Sequence, residues 1–135
     1  MKKLARTGIW LDFEKAYIIE LHENQENITK IDSNIEHFNV VGGSRSKQAH
    51  GPQDNVSESK YLERNNQQQA TYFKSIIEKI NPNNELVIFG PAEAKMNLKK
   101  AFQNHSNFKQ KAIPVETADS ITENQMKAWV RDYKI

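Results

Sequence analysis

Thr7-Gly8-Ile9-Trp10-Leu11-Asp12-Phe13-Glu14-Lys15-Ala16-Tyr17-Ile18-Ile19-Glu20-Leu21-His22 is the stretch that decides the fold. From Thr7 to Phe13 apolar residues alternate at period two. That predicts a strand with Ile9, Leu11 and Phe13 on one face and Trp10 and Asp12 on the other. Glu14-Lys15 is expected to make a tight turn. Ala16 to His22 then reads as a second strand, so apolar that both of its faces must be partly covered. Asn24-Gln25-Glu26-Asn27 clusters side chains that bond their own backbone, a further turn. Ile28 to Phe38 continues as a third extended segment, irregular around Asp32-Ser33-Asn34. The opening is therefore a three-stranded antiparallel meander.

Beyond it the pattern changes. Asn39 to Asn55 has no periodicity and holds Gly42, Gly43, Gly51 and Pro52, so a long loop is expected at about residues 39–56. A helix is expected from Asn55 or Ser57, where Asn55 and Glu58 are spaced as a capping box. Its apolar stripe is Leu62, Tyr72, Phe73, Ile76, Ile77 and Ile80. Asn65-Asn66-Gln67-Gln68-Gln69 is polar all round, so the first half of this helix should project into solvent. Asn81-Pro82-Asn83-Asn84 ends it. Leu86-Val87-Ile88-Phe89 marks a buried strand, and Gly90-Pro91 is expected to open a second helix with Pro91 at its first position. Ala94, Leu98, Ala101, Phe102 and His105 share one face of that helix. Phe108 to Val115 reads as the last strand. Thr122 with Gln125 has the spacing of a capping box, Ile121 and Met126 of a hydrophobic staple, and Met126, Trp129, Val130 and Tyr133 make the stripe of a third helix. The order βββαβαβα predicts the α/β class, with a mixed five-stranded sheet and helices on its faces, and is the order of the ribonuclease H-like architecture.

The chain has 135 residues, room for one hydrophobic core and hence one domain over 1–135. Its 37% hydrophobic content and mean hydropathy of −0.80 make it very polar, yet a net charge of only +2 and compact apolar runs argue against disorder. A pI near 8.8 permits an anionic partner without demanding one. The absence of cysteine excludes disulfides, thiolate zinc sites and cysteine nucleophiles. The basic start, Met1-Lys2-Lys3-Leu4-Ala5-Arg6, has no apolar stretch behind it, so no secretory signal is expected and the expected location is cytoplasmic. No run approaches the roughly 20 apolar residues of a membrane helix.

A ribonuclease H-like order raises the question of a metal-dependent nuclease, which needs carboxylates converging from the first strand, the first helix and the fourth strand. Asp12 and Glu63 are placed for the first two, but no carboxylate follows the fourth strand before Glu93. Asp12 reads equally well as a turn residue. His22, His37, His50 and His105 lack metal-ligand spacing. Ser44 and Ser46 lie near His50 without an orienting carboxylate, so a nucleophilic triad is not expected. The segment Val41-Gly42-Gly43-Ser44-Arg45-Ser46-Lys47 is more informative. Gly42 and Gly43 permit close backbone approach. Arg45, Lys47 and His50 add cationic character beside Ser44 and Ser46, a combination suited to phosphate contacts made by shape and charge. A flexible crossover carrying ordinary solvated residues would look the same.

The run Gly8 to Tyr17, followed by a Gly-Gly loop and a long helix, resembles the middle domain of the archaeo-eukaryotic peptide-chain release factors and Pelota, and more particularly their bacterial relatives. Phe89-Gly90-Pro91 and Glu116-Thr117-Ala118-Asp119 share that look. The resemblance implies a ribonuclease H-like fold and puts Gly42-Gly43 where those factors carry a Gly-Gly-Gln loop, between the third strand and the first helix. Ser44 stands where release chemistry needs glutamine to organise the attacking water. The implied function is therefore a non-catalytic, cofactor-free, translation-associated module. Its RNA-binding residues would be Gly42, Gly43, Ser44, Arg45, Ser46, Lys47 and His50, and its partner the ribosome or tRNA. The alternative is a peptidyl-tRNA hydrolase-like activity or a cryptic nuclease. The projecting first helix offers a third reading, a surface for a protein partner or for homo-oligomerisation. The codon-reading and partner-binding domains that flank the middle domain in full-length factors have no counterpart in these 135 residues.

Overall fold

The structure is a computed structural model that describes residues 5–35 and 52–134, without the side chains of 52–59 and 61. Eight elements follow one another in the expected order: β1 (Arg6–Leu11), β2 (Lys15–His22), β3 (Gln25–Asp32), α1 (Pro52–Ile77), β4 (Glu85–Gly90), α2 (Ala94–Gln103), β5 (Val115–Thr117) and α3 (Glu123–Asp132). The five strands form one sheet in the order β3-β2-β1-β4-β5. β1 pairs antiparallel with β2 and parallel with β4, β2 pairs antiparallel with β3, and β4 pairs parallel with β5. The fold is a ribonuclease H-like α/β fold with a mixed sheet.

Period-two alternation divides the core between the two faces of this sheet. Ile9, Leu11, Ile18 and Ile88 face α1 and α2, where they meet Tyr72, Phe73, Ile76, Ile77, Leu98 and Phe102. Trp10, Ile19 and Phe89 face α3, where they meet Met126 and Val130. Gly8 belongs to the second face, and a Cβ there would lie 2.3 Å from Val130 Cγ2. The missing side chain lets α3 sit down on β1. Arg6, in the same row, donates from its guanidinium to the carbonyls of Val130 and Tyr133 at 2.9 and 2.5 Å, and so ties β1 to the last turn and C-cap of α3. Thr122 and Gln125 form the expected capping box at the start of α3. Ile121 and Met126 both join the core beneath it.

Several boundaries differ from the sequence-based expectations, each for a local reason. The first turn is Phe13-Glu14, because the Asp12 carboxylate accepts from the N–H groups of both Glu14 and Lys15 at 2.8 and 2.9 Å. The second hairpin closes on Glu23-Asn24, with Glu23 at φ 54°, so Gln25 to Asn27 belong to β3. The helix α1 begins at Pro52, a residue suited to the first helical position since its missing N–H would have no intrahelical partner there. Residues 52–56 are therefore helical rather than loop, and Asn55 is inside the helix rather than capping it. Pro91 does not open α2, which starts at Ala94 with Glu93 at its N-cap and no side-chain cap. Finally, the last strand is only Val115–Thr117. Phe108 is buried through a turn, its ring edge-on to Phe102 at 4.8 Å and 76°, and not through a strand.

Candidate functional site

The parallel trio β1, β4 and β5 points its carboxyl ends the same way, and β3, antiparallel to β2, ends there too. In open α/β sheets this is the end at which ligands bind. It is also the end where the chain leaves the sheet after β3 and from which α1 comes back.

Hydrogen bonds on both sides of β1 fasten this end. The Tyr72 hydroxyl donates to the Asp12 carbonyl oxygen at 3.0 Å, pinning α1 to the turn after β1. Burial, with the nearby carboxylates of Asp12 and Asp32, holds the Tyr72 phenol well above its ordinary ionisation range. The Ser33 hydroxyl donates to the Phe13 carbonyl oxygen at 2.7 Å and accepts from the Ile35 N–H at 3.2 Å, and Ile35 is buried in the α1-side core. On the other side of β1, Trp10 Nε1 donates to the Asp119 carbonyl oxygen at 3.2 Å. The Ala118 N–H donates to the Gly90 carbonyl oxygen at 2.9 Å. Gly90 is itself confined, since a Cβ there would lie 2.3 Å from the Leu11 carbonyl oxygen.

From this rigid end α1 runs outward. Its first buried side chain among those described is Tyr72, and the 20 residues 52–71 that precede it make about 30 Å of helix at ~1.5 Å per residue. None of the described side chains in that part is buried, and Leu62 is 57% exposed. Leu62 thus leaves the apolar stripe to which its spacing assigned it, while the rest of the stripe, Tyr72 to Ile80, is buried. The polar run Asn65 to Gln69 explains why: no second apolar row is available there for anything to pack on.

The basic-loop residues Gly42, Gly43, Ser44, Arg45, Ser46, Lys47 and His50 lie outside the described residues, as does His37. Their attachment points are described: anchored Ile35 at the carboxyl end of the sheet and Pro52 at the outer end of α1. The carboxylates considered for a metal site are not brought together. Asp12 is committed to its turn, with Lys15 Nζ 3.9 Å away, Glu63 is exposed on α1, and Glu93 sits at the start of α2. Among the described residues no group of three His, Asp or Glu is placed to hold a metal ion. His22 is exposed in the β2–β3 hairpin, and His105 lies edge-on to Phe108 with its Nδ1 accepting from the Asn107 N–H. The sequence-based reading missed the anchoring role of the Tyr72 hydroxyl. The available signal was a single hydroxylated ring in an otherwise hydrocarbon stripe.

Comparison with known proteins agrees with this architecture at the level of fold. No family model matches the chain, and no curated protein matches it in sequence. Fourteen chains of solved structure match the fold. One is an archaeal translation termination factor, aRF1, which superposes over 97% of this chain with a TM-score of 0.56 at 8% identity. The match spans 35% of that factor's length. The likeness is one of fold, and no helix among the described residues is long and apolar enough to cross a membrane.

Proposed function

We propose that this chain is a translation-associated module that contacts ribosomal or transfer RNA through the basic segment Gly42 to His50, without catalysing release. The observation that carries this reading is topological. A fold shared with a translation termination factor inserts residues 36–51 between an anchored strand end and the outer end of an outward-running helix. A basic, glycine-containing segment joined to those two points is suited to reaching an RNA backbone, where Arg45 and Lys47 pair with phosphates and the serine hydroxyls donate to phosphate oxygens. Ser44 has no amide to orient a water, which favours binding over peptidyl-tRNA hydrolysis. The cytoplasm is the compartment that this role requires.

Co-sedimentation with ribosomes tests the reading. The wild-type chain is expected in the ribosomal pellet at low salt, and Arg45→Ala with Lys47→Ala is expected to shift it to the supernatant. Pelleting that ignores both substitutions removes the loop from the account. Release of peptide from peptidyl-tRNA above the buffer rate, lost in Ser44→Ala, would instead establish the hydrolase alternative.

A further inference from the structure

We propose that the outer edge of β3 is a self-association surface: two copies of this chain pair their β3 strands antiparallel about Ile28, joining the two sheets into one. β3 is eight residues long and forms one edge of the sheet, paired on one side with β2. The hydrogen-bond phase of that pairing is fixed at both ends. The hairpin closes on the pair His22/Gln25, and the Ser33 N–H donates to the Glu14 carbonyl oxygen at 2.9 Å. Alternation then assigns the backbone groups of Gln25, Asn27, Thr29 and Ile31 to β2. Those of Glu26, Ile28, Lys30 and Asp32 face the outer edge, which no other strand among the described residues pairs with.

The side chains of these outward-bonding residues share the α3 face. Ile28 packs against the Trp10 and Phe89 core, Glu26 accepts from Arg131 of α3 at 2.6 Å, and Lys30 lies 3.6 Å from Asp32. An exposed edge of this length invites pairing, and charges on it ordinarily discourage that. Here they discriminate between registers. A pairing centred on Glu26 or on Lys30 opposes like charges. One centred on Thr29 opposes Glu26 to Asp32, and one centred on Asn27 opposes Glu26 to Ile28. Centring on Ile28 opposes Glu26 to Lys30 twice, Ile28 to Ile28 and Asp32 to Asn24. It also brings Arg131, Glu26 and the partner's Lys30 and Asp32 into one alternating network of charge. Directly opposed residues in antiparallel strands share a face, so these pairs are in reach of each other. Because the strands run in opposite directions, the two carboxyl ends of the joined sheet point away from one another.

Sedimentation velocity of the full chain from low to high micromolar concentration tests the proposal. The wild type is expected to pass from monomer to dimer. Glu26→Lys and Lys30→Glu, singly, are each expected to weaken the dimer about thirtyfold, since two symmetry-related attractions become repulsions. The double exchange Glu26→Lys with Lys30→Glu is expected to recover part of that loss, since it restores the cross-strand attractions but sets a lysine beside Arg131 and a glutamate beside Asp32. Hydrogen exchange of the wild type gives a check that needs no variant. The amides of Ile28 and Lys30 should gain protection as concentration rises, while those of Asn27 and Thr29 stay protected throughout. A chain that is monomeric over the whole range, a dimer indifferent to the single exchanges, or concentration-independent exchange at Ile28 and Lys30 overturns the proposal.

Discussion

Gly8→Ala probes how α3 is held on the sheet. The added methyl would sit 2.3 Å from Cγ2 of Val130, 3.1 Å from its Cγ1 and 3.3 Å from its Cβ, against an ordinary carbon–carbon contact of about 3.5–4 Å. Val130 is fully buried, so relief requires α3 to back away by about 1 Å, loosening Met126 and Val130 over Trp10, Ile19 and Phe89. Overpacking of this kind costs about 1–3 kcal/mol, and a buried, β-branched neighbour that cannot swing aside puts it at about 2 kcal/mol. Val130→Ala alone removes two buried methyl groups, about 2 kcal/mol. It also removes both γ-carbons that the new methyl would strike. The double variant is therefore expected to be about as stable as Val130→Ala alone, a coupling of about 2 kcal/mol in favour of the pair. Urea denaturation followed by far-ultraviolet circular dichroism reads this as a midpoint lowered by about 1–2 M in Gly8→Ala and largely recovered, relative to additivity, in the double variant. Gly90→Ala is the control. Its clash is with a carbonyl oxygen at a φ of 159°, and no side-chain truncation relieves it. Additive losses in the Gly8/Val130 pair, or a neutral Gly8→Ala, would refute this packing of α3.

Other outcomes follow from the same contacts. Tyr72→Phe should cost about 1 kcal/mol at neutral pH by removing the bond to the Asp12 carbonyl. The Tyr72 phenol is raised in the folded state above its ordinary 10.0, so its contribution to stability is complete below pH 10 and is lost as pH rises beyond it. Denaturation midpoints of the wild type should fall more steeply above that pH than those of Tyr72→Phe, and parallel curves would contradict the assignment. Thr122→Ala should lower stability by about 1 kcal/mol through loss of the capping box, measured by thermal unfolding. Leu62→Ser should leave thermal stability within about 0.5 kcal/mol. Ile76→Ala, fully buried in the same helix, should cost about 2–5 kcal/mol. Equal effects at the two positions would mean that α1 is covered along its whole length.

What could be read from the residues was whatever rests on local periodicity and capping. Ile9 and Leu11 against Trp10 predicted the two faces of β1. Leu86 to Phe89 announced a buried strand, and Thr122 with Gln125 fixed the start of α3 to the residue. These features are legible because each is imposed by neighbours within one or two turns. The misplaced boundaries depend on something further away. Phe108 and Ile113 look like parts of one strand, but each reaches the core from a turn or an irregular segment, with Lys109 and Gln110 left in solvent between them. Gly90-Pro91 looks like a helix start, but its backbone is committed to pairing: Gly90 opposite Thr117 and its carbonyl to Ala118. In the candidate site the sequence identifies the basic loop and its place in the order. The bond from Tyr72 to Asp12, which fixes the helix that follows residues 36–51 in the chain, joins residues 60 positions apart and leaves no trace in local spacing.

The central claim is contact with RNA through Arg45 and Lys47, and the salt dependence of ribosome binding tests it most directly. Each phosphate neutralised contributes about 0.7–0.9 to the slope of log affinity against log salt. The wild-type chain should bind with a clear negative slope, and Arg45→Ala with Lys47→Ala should reduce its magnitude by about 1.4–1.8. An unchanged slope in the double variant, or no binding at low salt by the wild type, would contradict the account.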